Sequence, residues 1–202
     1  MTEGRRMSEG AGAGAGQLAG RLLVAAPALV DPSFARSVVL VLDHDNGGAL
    51  GVVLNRPTDV PVSDALPVWA PHMSAPSVVF RGGPVALDSA LALALLATVP
   101  AAEDPEPLGW RQVVGALGLV DLDAPPEILA EQTAAMRVFA GYAGWGSGQL
   151  EGELAADAWL VVDSLPGDAF SASPTALWRS VLRRQTDRRA MLSTMPEDPS
   201  KN

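Results

Sequence analysis

Ser37–Asn55 reads SVVLVLDHDNGGALGVVLN. Its first part, Ser37–Asp43, is β-branched and apolar at consecutive positions, so both faces of an extended segment there call for burial. Asp45-Asn46-Gly47-Gly48 follows, and Asn and Gly tolerate the positive φ of a tight turn. Ala49–Asn55 then returns as a second strand. The stretch predicts a hairpin whose first strand is central, and so a sheet with apolar layers on both sides.

Outward from this hairpin, strands are predicted at Gly20–Ala26, stopped by Pro27, and at Ser77–Phe80. Asp31-Pro32-Ser33 reads as a turn or a brief helical start, and Arg56-Pro57 ends the second hairpin strand. Val62–Trp69 reads as a short helix interrupted by Pro67. Ser89–Leu96 is rich in Ala and Leu, so propensity favours a helix; its short, apolar run equally suits a buried strand. Ala101–Gly109 reads as an exposed loop and Val113–Val120 as a strand. A helix is predicted from Ala124-Pro125-Pro126-Glu127 to about Met136, with proline in its first turn. A strand at Val138–Tyr142, a serine-capped helix at Ser147–Ala156 and a strand at Ala158–Val162 follow. Ser173-Pro174 opens a last helix, Thr175–Gln185, with Leu177, Trp178, Val181 and Leu182 on one stripe. The irregular order of strands and helices points to an α+β domain with a mixed sheet, not a doubly wound parallel one.

Residues 1–16 are small and polar, alternating Gly and Ala from residue 10, and are expected to be a disordered tail. Residues 17–185 form the expected single domain, and 186–202 a loosely ordered C-terminal tail. The head has two arginines but no apolar run of signal-peptide type, and no stretch approaches the roughly 20 apolar residues of a membrane span. A cytoplasmic protein without membrane association is the expectation.

The chain has 202 residues, 48% of them hydrophobic, with 14 Lys and Arg against 23 Asp and Glu. The formal charge of −9 lowers the expectation of direct nucleic-acid binding, which needs a basic face against phosphates. There is no cysteine, so disulfides, thiolate metal sites and a cysteine nucleophile are excluded. The two histidines are His44 and His72.

Four constellations carry potential chemistry. Asp43-His44-Asp45-Asn46 at the hairpin tip reads as a general base or metal ligand, or as a polar turn. Arg56, at a strand end, suits an anion or carboxylate, and equally suits bracing a neighbouring loop from within. Arg81-Gly82-Gly83-Pro84 allows close backbone approach to a ligand, or makes a tight structural turn. Gly141–Glu151 places four glycines around Tyr142 and Trp145 ahead of a helix, which suits a flat ligand or partner loop, or close packing of the two rings. Gly146-Ser147-Gly148 lacks the spacing of a nucleophile elbow. Glu151 and Glu153, two apart on a helix, point to different faces.

The segments GRLLVAAPALVDPSFARSVVLVLDHDNGGALGVVLNRP, RGGPVALDSA and GYAGWGSGQLEGELAADAWLVV, with Phe170 and Leu177-Trp178, resemble the YqgE/AlgH family, also called UPF0301 or DUF179. The resemblance runs from about Leu18 to Gln185. It implies an α+β fold with a mixed, largely antiparallel, bifurcated and partly barrel-like sheet surrounded by helices, and it favours a strand at Ser89–Leu96. It carries no enzyme activity and no cofactor. The motif positions it implies are Asp31, Pro32, Phe34, Arg36 and Ser37; Gly51, Asn55, Arg56 and Pro57; Gly82, Gly83 and Pro84; Gly141, Tyr142, Gly144, Trp145, Gly148, Gln149, Leu150 and Glu151; and Trp159. From these, Arg36, Asn55, Arg56, Gly82, Gly83, Tyr142, Trp145, Gln149 and Glu151 are the candidate binding residues. Asp157 departs from the asparagine that many members carry. The resulting expectation is a non-enzymatic cytoplasmic binding or regulatory domain for a small ligand or protein partner. The alternatives are a transcriptional regulator, a label some members carry, and a hydrolase or metal enzyme built on His44, Asp43 and Ser147.

Overall fold

The structure is a computed structural model describing residues 18–101, 103 and 105–195. The segment expected to be a disordered head, 1–16, lies outside the described residues.

The hairpin forms as β2 (Val38–Asp45) and β3 (Gly48–Val53), with Val39 opposite Val53 and His44 opposite Ala49. β1 (Arg21–Ala25) pairs antiparallel with β2 on its other side and with β10 (Trp159–Asp163). Side chains of β1 and β2 alternate between two apolar layers. Leu22, Val24, Val38, Leu40 and Leu42 face α4 (Leu177–Arg183), which contributes its stripe of Leu177, Trp178, Val181 and Leu182. Leu23, Ala25, Val39 and Val41 face a second layer with Trp145, Leu150 and Trp159. Burial on both faces is why this stretch is apolar at consecutive positions.

The remaining strands are β4 (Pro57–Pro61), β5 (Val78–Arg81), β6 (Val85–Leu96), β7 (Trp110–Val114), β8 (Leu117–Val120) and β9 (Thr133–Gly146). The sheet order is β10-β1-β2-β3-β9-β6-β8-β7, with β4 paired to β5 off this path. β9 is the fork. Its C-terminal part pairs with β3, its middle pairs parallel with β5 on Phe80 and Arg81, and its length pairs with β6. The sheet is thus a curled, bifurcated, largely antiparallel half-barrel with short helices against it.

β9 changes side at Gly141. Phe139 packs with the α4 layer, whereas Ala143 and Trp145 pack with the other. The switch uses φ +70 at Gly141, where an added Cβ would lie 2.6 Å from the Val85 carbonyl oxygen. A side chain there meets both strain and a clash.

Several local expectations are corrected by pairing. Ser89–Leu96 is strand, as the family resemblance implied against its helix propensity, because Ala92–Leu95 lies between β8 and β9. The helix predicted to Met136 stops after α2 (Glu127–Ala130), and Thr133 begins β9. There Met136 and Val138 fill a third layer with Trp69 and Trp110. Burial in a sheet outweighs weak helix preference. The single strand predicted over Val113–Val120 is the β7–β8 hairpin, turning at Gly115 with φ +56. The first helix is only α1 (Val62–Ala65), and β4, beginning at Pro57, was not anticipated. α3 (Gln149–Ala155) starts at Gly148, φ +74, without a side-chain cap. Ser147 instead donates its hydroxyl to the Asn46 carbonyl at 2.7 Å. Ser173 likewise gives no side-chain cap, and Pro174–Ala176 forms a 3-10 turn ahead of α4. Beyond Gln185, α5 (Arg189–Leu192) is held by Arg189, which donates to the Val161 carbonyl at 2.9 Å.

Arg137 of β9 is buried, at 2% exposure, and stacks 4.2 Å over Phe80. Its guanidinium donates to the carbonyls of Ala169, Ala75 and Ser171 at 2.8–3.1 Å. Burial pulls its pKa down to about 10. It is a staple joining two loops to the sheet, with every partner a backbone oxygen.

Candidate functional site

β3 divides the candidate residues into two groups. At its start, Ala49 lies opposite Trp145. Phe34, Trp145 and Trp159 form an aromatic trio with centroids 5.5–6.1 Å apart. Trp145 and Trp159 both donate their indole N–H to Glu153 Oε2, at 2.9 and 2.7 Å. Gln149 donates to Glu153 Oε1 at 3.0 Å and accepts from the Gly146 amide at 3.1 Å. Trp145 and Gln149 therefore spend their polar atoms on Glu153 and the turn. Next to them, His44 is buried and donates from Nε2 to Glu151 Oε1 at 2.9 Å. A carboxylate only accepts, so Nε2 is the donor, and the buried Nδ1 has no hydrogen-bond partner among the described residues. The Glu151 carboxyl sits below its ordinary pKa, chiefly through its own backbone N–H and then through His44. Ser147 and His44 each spend their hydrogen bond elsewhere, so they do not form a nucleophile–base pair.

At the other end of β3, Asn55 is a clamp. Its Oδ1 accepts from the Val38 amide and its Nδ2 donates to the Arg36 carbonyl, both at 2.9 Å. This holds Arg36 at φ +55, with its guanidinium 4.5 Å over the Trp178 ring. Arg56 reaches back and donates to the carbonyls of Pro32 and Ala35 at 3.1 and 3.0 Å. Both readings of Arg56 meet here, because while bracing that loop it also lines a cavity.

The cavity, about 280 Å³, is walled by Pro32, Ser33, Val53, Arg56, Arg81, Gly83, Pro84 and Leu87. Three separate segments build it, 32–33, 53–56 and 81–87. Gly82 and Gly83 carry the chain across β9, so close that a Cβ on Gly83 would meet the Tyr142 carbonyl at 2.1 Å and one on Gly82 the Gly141 carbonyl at 2.2 Å. Glycine is required at this crossing, and the crossing sets Arg81 beside Arg56. Arg81 is exposed and pairs with no carboxylate among the described residues. The Arg56 pKa lies below its ordinary value, mainly through burial and then through the Arg81 charge, with Asp31 acting the other way.

Of the candidate residues, Arg56 and Gly83 line this cavity, with Gly82 behind it; Asn55 and Arg36 support its loop from outside. Tyr142, half-buried opposite Val85, does not line it, and Trp145, Gln149 and Glu151 belong to the other end of β3. Sequence reasoning quoted Arg81 only as part of a turn, and passed over Val53 and Leu87. The signal for Arg81 was a cation directly ahead of the glycine pair. Asp157 is exposed at the C-terminal end of α3 with φ +54. Asn and Asp both tolerate that left-handed turn, so the departure at Asp157 is explained by backbone conformation and not by the cavity.

The bifurcated half-barrel, with two arginines brought to one end of its central hairpin, defines an α+β class that recurs among known proteins. The sequence pattern of the AlgH-like family, DUF179, matches residues 22–190. A UPF0301 protein of Streptomyces avermitilis is 62% identical over 185 residues, covering 92% of this chain and 95% of its own. One from Mycobacterium tuberculosis is 47% identical over 185 residues, covering 91% and 90%. A crystal structure of a Corynebacterium diphtheriae protein superposes with a TM-score of 0.82 at 33% identity, over 87% of this chain and 91% of that one. The solution structure of AlgH from Pseudomonas aeruginosa, 24% identical, shares the fold with a TM-score of 0.62 over 94% and 98%. The chain belongs to the AlgH-like UPF0301 family.

Proposed function

We propose that this chain is a non-enzymatic binding domain, and that its small ligand or partner segment seats in the Arg56–Arg81 cavity. One observation carries this reading: three chain segments converge on a concave site whose two cations are paired to no carboxylate among the described residues. Structural arginines end on protein acceptors, as Arg137 does. Arg81 ends on none among the described residues and faces Arg56 at a cost in repulsion. A bound group of opposite charge would offset that cost.

A cytoplasmic location suits the reading; among the described residues no helix is long and apolar enough to cross a membrane. Any effect on transcription would run through a bound partner, since the net charge of −9 opposes direct contact with DNA.

The test is a thermal-shift screen of the full chain against nucleotides, metabolites, divalent metals and duplex DNA, with Arg56→Ala as control. A ligand at 100 times its Kd adds about 2.7 kcal/mol. For a chain of this size that is a rise of roughly 5–10 °C in Tm. The expected result is a shift with at least one small molecule that disappears in the folded variant. A shift that survives in the variant would remove the cavity from the function.

A further inference from the structure

Resting on that reading, we infer that the cavity takes a small amphipathic oxyanion: a carboxylate or phosphomonoester headgroup on a short apolar body. The headgroup lies between Arg81 and Arg56, and the body lies along Val53, Pro84, Pro32 and Leu87.

Of the five N–H groups of a guanidinium, Arg56 uses two on the Pro32 and Ala35 carbonyls. Arg81 uses none on the described residues, so most of the donor capacity at the cavity is unspent, and guanidinium forks match planar or tetrahedral oxyanions. A cation is repelled by the same pair. A neutral apolar ligand would strip water from two adjacent like charges and give nothing back. An inorganic ion alone would leave the apolar wall uncovered, including Leu87, a large apolar side chain that stands 52% exposed at the rim. Only a ligand with both parts satisfies both surfaces. Size sets the rest: about 280 Å³ is at the low end of ligand sites, too small for a dinucleotide.

The firm geometry of the headgroup side has a cause in the fold. Asn55 holds the Arg36 and Val38 backbone, and Arg56 holds Pro32 and Ala35, so the wall carrying Pro32 and Ser33 is tied down at four backbone atoms. Gly83 pins the opposite wall against β9. The two cations are thereby placed before a ligand arrives, which lowers the ordering cost of binding.

The experiment is calorimetric titration of the full chain with hexanoate, hexyl phosphate, inorganic phosphate and 1-hexanol, repeated on Arg81→Gln, Arg81→Lys and Leu87→Ser. Arg81 and Leu87 are both exposed, so these variants keep the fold, which a melting curve checks. The expected result is binding of hexanoate or hexyl phosphate, with the stronger of the two naming the headgroup. Inorganic phosphate should bind more weakly and hexanol not at all. Arg81→Gln should weaken binding about tenfold or more, the usual worth of a charge-assisted hydrogen bond. Arg81→Lys should restore part of it, and Leu87→Ser should weaken hexanoate but not phosphate. Hexanol binding as well as hexanoate, unchanged by Arg81→Gln but lost in Leu87→Ser, would overturn the oxyanion assignment and leave the cavity as a binding site. Probes that bind equally to all variants, or no binding here together with a flat thermal screen, would overturn both.

Discussion

The two ends of β3 both gather charged and polar side chains, about 17 Å apart at roughly 3.4 Å per residue, and they have opposite chemistry. At the Ala49 end a single carboxylate, Glu153, receives two indole N–H groups and an amide, and each donor ends on a protein acceptor. At the Val53 end two guanidiniums stand together with no carboxylate paired to either among the described residues. The first closes around Glu153, although the buried Nδ1 of His44 beside it has no partner among the described residues, and reads as architecture. The second is open and reads as a place for something else. The lesson is that residue type does not separate them, since Trp, Gln and Glu are as suited to binding as Arg. Satisfaction of the polar atoms does.

The largest expected effect tests the closed end. Glu153→Ala would leave two buried indole donors without an acceptor and should cost about 2–4 kcal/mol, measured by urea unfolding. A cost below about 0.5 kcal/mol would break the comparison, because Glu153 would then not be the hub of that end. The next effect separates the two arginines of the open end. Arg56→Ala removes the bonds to Pro32 and Ala35 and should lower stability by about 1–2 kcal/mol, whereas Arg81→Gln should stay within about 0.5 kcal/mol of wild type. Equal losses in the same unfolding assay would make Arg81 a structural residue and close the open end. The smallest effect concerns pH. The folded-state pKa of Glu151 is depressed. The stabilisation its carboxylate draws from its own backbone N–H, and then from His44, is therefore full above the unfolded carboxylate pKa and is lost as pH falls through the lower folded value. Stability measured downward from pH 6 should fall less in Glu151→Gln than in wild type, and parallel curves would show that these bonds add nothing.

The hairpin over Ser37–Asn55 was legible because its signals are local. A run that is apolar on both faces, followed by Asn-Gly-Gly, leaves few alternatives. β1, β10 and the stripe of α4 were legible for the same reason. The helix predicted to Met136 was not corrected by anything nearby, since its neighbours in sequence favour helix as well. It becomes strand only because β6 lies alongside it, with Ala92 opposite Val138 and Ala94 opposite Met136. The Ser89–Leu96 segment, itself part of β6, shows the same ambiguity, settled by its pairing with β9 and β8. At the site, Arg56 and the glycine pair stood out by type and position. Val53 and Leu87 did not, because nothing in their own surroundings marks them, and Arg81 was marked only by its place directly ahead of that pair.

By itself the sequence determined the central hairpin, the burial of both its faces and the family; that the glycine pair serves a crossing over β9 came from the structure. Tertiary structure alone decided which motif residues share a space. The motif residues are spread from Asp31 to Trp159, and only the fork at β9 brings Arg81 to Arg56 while carrying Trp145 and Glu151 to the far end of β3. Local propensity acts over a few residues, whereas that convergence depends on strand pairings between segments far apart in the chain.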